Sequence, residues 1–431
     1  MRNKIKVLIV MSALFTAICF TGCGKQDKYG INNYSVVYSN NGIVEYQNSG
    51  AGTDVQTVYE LGSNGKTVAA YVALRMVDEG MLDLEDKIYP YLDENLRTDD
   101  PRLQEITLKE LLCHTAGFSP SYELGIDKKI YSDPGTEFRY SGVGYIYLQN
   151  VIENAGGVTM DQAASKYVFE PMGMKNSTFE SARTITPYMN LSNAVLYSML
   201  IFIISFILLL GIVSIIGKIT KHKLYSFKTG FAGSFIASGV INAVFLLFFF
   251  VSKVFLLFLA VFAAAGLVLI LTRKTKRLYY VGAPVVLAMT LILGFTLPVS
   301  VPVTNDLIAK KANCAYSFKS TPEDMALFCD SLLASYNDPD DIYKMMFDPA
   351  VVIDEKNMWG LGIAIETDAE GDVTYWHSGI NPGFQSLYVL YPAENKYIVV
   401  LTNSDNGLDY AADAARTFLG FEGQWQIKRK E

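Results

Sequence analysis

Cysteine is scarce in this chain, and the few present build no framework. Five occur among 431 residues, Cys19, Cys23, Cys113, Cys314 and Cys329. Two fall near the N-terminus and the other three form an odd set without metal-ligand spacing, so neither a disulfide scaffold nor a metal site is supported. A bridge between Cys314 and Cys329 has only their presence in its favour. No cofactor is expected.

Long basic runs are also missing from the soluble stretches. With a net charge of −7 and charged residues at 18%, the chain offers nucleic acid no electrostatic footprint. Charge disappears altogether from 194–217, 231–252, 254–272 and 279–303. Each of these is about the ~20 residues needed to span a bilayer core, and four in a row with no polar face is not the pattern of a soluble core. Lys218, Lys221, Lys223 and Lys228 lie between the first two stretches, and Arg273, Lys274, Lys276 and Arg277 between the last two, whereas Lys253 alone separates the middle pair. Basic loops face the cytoplasm, which puts the flanks at Met189 and Thr304 together outside.

The N-terminus agrees with that orientation. Arg2, Lys4 and Lys6 precede an uncharged run over 7–20 and then Thr21-Gly22-Cys23, the layout of a secretory signal. The end of it resembles the bacterial lipoprotein cleavage box, which implies that Cys23 is the lipidated first residue. Phe20 departs from the aliphatic residue usual there. The expected organisation is a signal over 1–23, the first part of a soluble domain over 29–183, four membrane helices within 190–303, and the second part of the same domain over 311–421.

Chemistry is concentrated at Leu61-Gly62-Ser63-Asn64-Gly65-Lys66, which runs into an apolar helical pattern. Positions i and i+3 share a helix face, so the Ser63 hydroxyl and the Lys66 amine can meet while Val68, Ala69, Val72, Ala73, Met76 and Val77 pack inward. A hydroxyl needs a base to become a nucleophile, and a neutral lysine can serve. The helix N-terminus beside Ser63 would face a developing oxyanion. The bland alternative for Ser63 is an N-cap.

Around this stretch the chain reads as a mixture of strands and helices. Two alternating strands flank Asn40-Asn41-Gly42, a hairpin signal. Thr107 and Glu110 form a capping box for a short helix that Gly117 stops; His114 at its end reads as a structural histidine. Tyr140 stands before Ser141-Gly142, placed to point out of a loop ahead of another apolar helix. Ser320 or Thr321 caps a helix with Pro322 in its first turn. Four strands follow, over 359–366, 373–377, 385–391 and 397–402, and a last helix over 410–419 has an apolar face to lie on them. The fold class expected is α+β, an antiparallel sheet flanked by helices, closed by both ends of the chain and interrupted by four transmembrane helices.

In their order, Leu61 to Lys66, Glu79 to Leu84, Ile106 to Gly117, Pro134-Gly135-Thr136 through Tyr140-Ser141, Pro171 to Met174, Ser320 to Asp324, and His377-Ser378-Gly379 with Asn381-Pro382-Gly383-Phe384 resemble the serine β-lactamase and penicillin-binding-protein superfamily. The nearest branch holds class C β-lactamases, D-alanyl-D-alanine carboxypeptidases, D-aminopeptidases and esterases. The resemblance implies that Ser63 is the acylated nucleophile, Lys66 its activator, and Tyr140 a general base and proton shuttle. A phenol ordinarily ionises near pH ~10, so that last role needs a cation beside it. His377, Ser378 and Gly379 would be the third motif, lining the substrate site, and the N–H groups of Ser63 and Ile380 the oxyanion hole.

Two departures bear on activity. Relatives carry Tyr-x-Asn where this chain has Tyr140-Ser141-Gly142, and the apolar insertion occupies a region from which relatives build part of the substrate cleft. The expected function is a membrane-bound extracytoplasmic serine hydrolase acting on an amide or ester, whether a peptidoglycan or D-amino-acid peptide, a β-lactam or a small ester. The alternative is a turnover-deficient cell-wall-ligand sensor signalling through its transmembrane helices. A transporter is disfavoured because the spans lack intramembrane charge.

Overall fold

Asn41 and Gly42 both adopt positive φ, 51° and 79°, the backbone of a type I′ turn, and they join strand β1 (Tyr34–Asn40) to β2 (Ile43–Ser49). The structure is a computed structural model and describes residues 29–50, 52–120, 126–190, 203–204, 207–208, 300–302 and 312–426. The chain divides into two units, Met1–Gly30 with Thr186–Thr304 and Ile31–Ile185 with Asn305–Glu431.

In the second unit the hairpin is followed by the buried strand β3 (Tyr59–Gly62) and helix α1 (Gly65–Asp78), which is buried nearly all round. The helix starts at Gly65, so Ser63 lies in the turn before it and Asn64, not Ser63, occupies the N-cap. Helix α2 (Leu108–Leu112) carries the full Thr107–Glu110 capping box, and α3 (Gly142–Gly156) is capped by Ser141.

The first unit is described only in small part. There β4 (Tyr188–Asn190) pairs antiparallel with β5 (Ser300–Pro302), so 300–302, within the apolar stretch over 279–303, are strand rather than membrane helix. Among the described residues no helix is long and apolar enough to cross a membrane. The rest of the four apolar stretches, apart from 203–204 and 207–208, lies outside the described residues, as do Cys23 and the signal.

The second unit resumes with β6 (Phe318–Ser320), which pairs with β3, and α4 (Pro322–Asn337), whose N-cap is Thr321. Six strands follow: β7 (Val351–Val352), β8 (Asn357–Trp359), β9 (Ala364–Thr367), β10 (Val373–Asn381), β11 (Phe384–Tyr391) and β12 (Lys396–Thr402). The strand expected over 359–366 is thus two strands paired as a hairpin, with Trp359 opposite Ala364. Gly362 turns the chain at φ 81°, a conformation that costs a β-carbon-free residue nothing.

An eight-stranded antiparallel sheet results, in the order β2-β1-β12-β11-β10-β9-β8-β7. Both ends of the chain close it, because β1 lies beside β12 with Val36 opposite Val400. Helix α5 (Gly407–Leu419) lies against β11 and β12, burying Ala411, Ala412, Ala415 and Leu419. Tyr410 and Phe418 add ring contacts to Tyr34 and Tyr38 at 4.6 and 5.0 Å. Cys113, Cys314 and Cys329 are buried free thiols, so no Cys314–Cys329 bridge exists.

Candidate active site

Two glycines bring the first and third motifs together. At Gly379 a β-carbon would stand 1.8 Å from the Leu61 carbonyl oxygen, and at Gly62 it would stand 3.0 Å from the Ile380 nitrogen. Only a bare backbone on β10 lets β3 run this close, and Gly62 also adopts φ 52°. The chain therefore delivers Ser63 next to the backbone of Gly379 and Ile380. Helix α1 is pinned behind it by polar contacts: Asn64 Nδ2 donates to Ser386 Oγ at 2.9 Å, and the hydroxyls of Thr67 and Tyr388 share a bond of 2.7 Å.

Lys66 is 1% exposed, and burying an ammonium requires partners. Its Nζ donates to Ser63 Oγ at 2.8 Å and to the Ala315 carbonyl at 2.6 Å. Ser63 Oγ donates to the same carbonyl at 3.3 Å. Ala315 lies in a turn of the segment that returns from the insertion, and a backbone oxygen gave no signal in the sequence.

Tyr140 comes from the other side, delivered by the segment that α3 continues. It is 7% exposed rather than projecting from a loop, because the site packs rings around it. Its ring centroid lies 5.1 Å from Lys66 Nζ, 4.4 Å from the His114 ring and 6.2 Å from the His377 ring. Gly142 opens α3 and donates its N–H to the Pro120 carbonyl at 3.2 Å.

His377 is wholly buried on β10, against Trp359 at 5.5 Å. Its contact of 2.8 Å with the Ser378 carbonyl requires a donor, so the proton sits on Nδ1. Burial first, and then the Lys66 charge, push its pKa down to about 3. His377 is thus a neutral ring behind the strand, while Ser378 is half-buried and Ile380, 52% exposed, stands at the rim. The same two causes, joined by His377, hold His114 well below the usual histidine range.

A pin beneath the third motif was also hidden in the sequence. Asn381 Nδ2 donates to Glu60 Oε2 at 2.8 Å and to the Tyr316 carbonyl at 3.0 Å, tying the end of β10 to β3 and to the returning segment. Burial raises the Glu60 pKa despite the Asn381 bond and the Lys319 charge, and burial lowers that of Lys319. Among the described residues no group of three His, Cys, Asp or Glu side chains is placed to hold a metal ion.

The structure thus brings Ser63 and Lys66, Tyr140, and the strand segment His377, Ser378, Gly379 and Ile380 together from three separate segments, with the His377 ring buried behind them. A hydroxyl within hydrogen-bond reach of an amine, next to a phenol, is a constellation suited to acyl transfer.

Solved structures share this fold. A penicillin-binding-protein homologue from Pyrococcus abyssi superposes with TM-score 0.58 at 15% identity, over 96% of this chain and 77% of its own. A D-stereospecific amidohydrolase from Streptomyces gives TM-score 0.57 at 16% identity, over 91% and 95%. Among curated proteins, Protein flp of Staphylococcus aureus (strain MW2) is 26% identical over 141 residues, 29% of this chain and 28% of that protein. A candidate D-alanyl-D-alanine carboxypeptidase of Salmonella agona (strain SL483) is 26% identical over 147 residues, 28% of this chain and 34% of its own. The chain spans about a third of the length of the curated relatives it matches. The β-lactamase family profile matches residues 23–188 and 298–420, well over half of the chain and both halves of the site, and the chain therefore belongs to the β-lactamase family, whose members are serine hydrolases.

Proposed function

We propose that this protein is a membrane-held, extracytoplasmic serine hydrolase that works through an acyl-enzyme on Ser63. Ser63 Oγ adds to the carbonyl carbon of an ester or amide, and its proton passes to Tyr140 as the phenolate that the Lys66 ammonium beside it favours, or to Lys66 where that amine is neutral. The C–O or C–N bond then breaks as that proton reaches the leaving oxygen or nitrogen. Water adds to the acyl group, releases the carboxylic acid and returns a proton to Ser63. The N–H groups of Ser63, in the turn after β3, and of Ile380, on β10, hold the oxyanion, in segments that Gly62 and Gly379 bring together.

The observation that supports this reading most is the 2.8 Å contact between Lys66 Nζ and Ser63 Oγ with the Tyr140 ring 5.1 Å from the same nitrogen. Names of relatives favour D-amino-acid peptides, through the Salmonella and Streptomyces proteins. Membrane attachment rests on the four uncharged stretches; three fall wholly between the family-matched segments that end at 188 and resume at 298, and the fourth, over 279–303, overlaps the second segment by its last residues. Cys23 as a lipid anchor rests on the signal pattern alone.

Intact-protein mass spectrometry after incubation with a penicillin and with D-alanyl peptides tests the reading. Wild type should gain one acyl adduct that decays with time, and Ser63→Ala should gain none. Folded wild-type protein that forms no adduct with any of these, nor with a fluorophosphonate, would overturn it. Gly142 favours a second reading, since no side chain stands there to hold a substrate amide: a sensor that acylates and does not turn over. An adduct that persists for hours separates that from the hydrolase.

A further inference from the structure

His114 is a buried titratable group that the proposed chemistry leaves without a task. It ends α2 at φ 59°, in a left-handed conformation that few residues other than glycine adopt. Something must hold it there, and its hydrogen bonds show what. Its carbonyl oxygen accepts from the Arg139 N–H at 2.8 Å, and its Nδ1 accepts from the Ser141 N–H at 3.1 Å. These are the N–H groups of the residues before and after Tyr140.

We propose that His114 is a positioning residue for Tyr140, gripping the backbone before and after it so that the phenol stays beside Lys66. The inference rests on Tyr140 carrying protons in the reaction.

Three observations make the grip consequential. Gly142 and Gly144 follow Tyr140 closely, and glycines leave a backbone freer than other residues do. Ser141 is held a second time, its Oγ accepting from the Gly144 N–H at 2.8 Å and donating to the Ser119 carbonyl at 2.6 Å, so the His114 bond completes a fixed peptide. The His114 ring also lies 4.4 Å from the Tyr140 ring, and the whole residue is 2% exposed. An N–H pointing at Nδ1 requires that nitrogen to be unprotonated, which fixes the proton of the neutral ring on Nε2. Burial and the Lys66 charge, which disfavour the cation, keep that acceptor available.

The test separates the acceptor from the ring. His114→Phe keeps an aromatic ring and removes the acceptor; His114→Asn removes the ring, retains an acceptor near Nδ1 and suits a left-handed backbone. In full-length protein in detergent, the rate of Ser63 labelling by a fluorophosphonate is measured against probe concentration. His114→Phe should label about 100-fold more slowly at saturating probe with little change in half-saturation, as misplacing a reacting group does, and His114→Asn within about tenfold of wild type. Equal labelling of His114→Phe and wild type would overturn the inference. So would folded His114→Asn labelling as slowly as His114→Phe, since ring packing rather than the acceptor would then matter. If His114→Phe does not fold, the His114→Asn rate decides alone. Wild type that takes no label is a different failure, that of the hydrolase reading itself.

Discussion

His377 shows what burial does to a residue read as part of a substrate site. On β10 it is wholly enclosed, with Nδ1 committed to the Ser378 carbonyl and its pKa pushed down to about 3. Unfolded, the same imidazole titrates near ~6.5. A folded pKa below the unfolded one means that the denatured chain binds the proton first as pH falls. The stability this group contributes is present above about pH 6.5 and is lost as pH drops from there toward 3. Between pH 7 and pH 5 the loss from this one ring is about 2 kcal/mol. His114 adds to the effect in the same direction, whereas the raised carboxyl of Glu60 acts in the opposite one. Comparing wild type with His377→Gln isolates the ring. Denaturant unfolding at pH 7.5, 6 and 5 should show the variant losing less stability on acidification, by about that amount, and parallel losses would contradict the buried neutral state.

Between elements, the contact that matters most is β3 against β10. A methyl group at residue 379 would meet the Leu61 carbonyl at 1.8 Å, and backbone cannot yield as a flexible side chain does. Gly379→Ala should therefore destabilise by about 1–3 kcal/mol, the cost of overpacking, and slow Ser63 acylation as Ile380 shifts from Ser63. Gly156→Ala is the control, since its new methyl meets only the ends of Val158 and Met76 at 3.4 and 3.5 Å. Urea melts and fluorophosphonate labelling of both variants measure the difference; a Gly379→Ala protein as stable and reactive as wild type would refute it. This contact also marks the limit of what the residues disclosed beforehand. Local patterns were readable: the Asn41-Gly42 turn, the Thr107 and Thr321 caps, and Ser63 and Lys66 three apart all depend on neighbours in sequence. Hydrophobic alternation runs through the break at Gly362, and only the positive φ of that residue splits the strand into a hairpin. The Glu60–Asn381 pin joins positions 321 residues apart, and the Ala315 contact is made by a backbone oxygen, so neither leaves a mark in the sequence. His114 looked merely structural for a similar reason: its tie to Ser141 exists only once α2 and α3 meet.

At the scale of the molecule, one chain must leave the hydrolase fold at about residue 188 and return to it by 298, because the family match stops and resumes there. The residues in between include three apolar stretches in full, most of the fourth, and two clusters of four basic residues, Lys218 to Lys228 and Arg273 to Arg277. A charge cluster of that size resists translocation, and an even number of crossings is needed to bring both halves of one sheet to the same side. The four crossings proposed above satisfy both requirements, with each basic cluster on the cytoplasmic side. The arrangement predicts an accessibility pattern in intact cells. Cys113, Cys314 and Cys329 are buried and should stay silent, so a single introduced cysteine reports its own side. Glu355→Cys, on an exposed turn of the hydrolase unit, should react with a membrane-impermeant maleimide added outside. Ser226→Cys and Thr275→Cys, within the basic clusters, should react only after permeabilisation. Labelling of either one from outside would remove the four-span topology, and with it the placement of Ser63 beyond the membrane, while leaving the family and the geometry around Lys66 untouched.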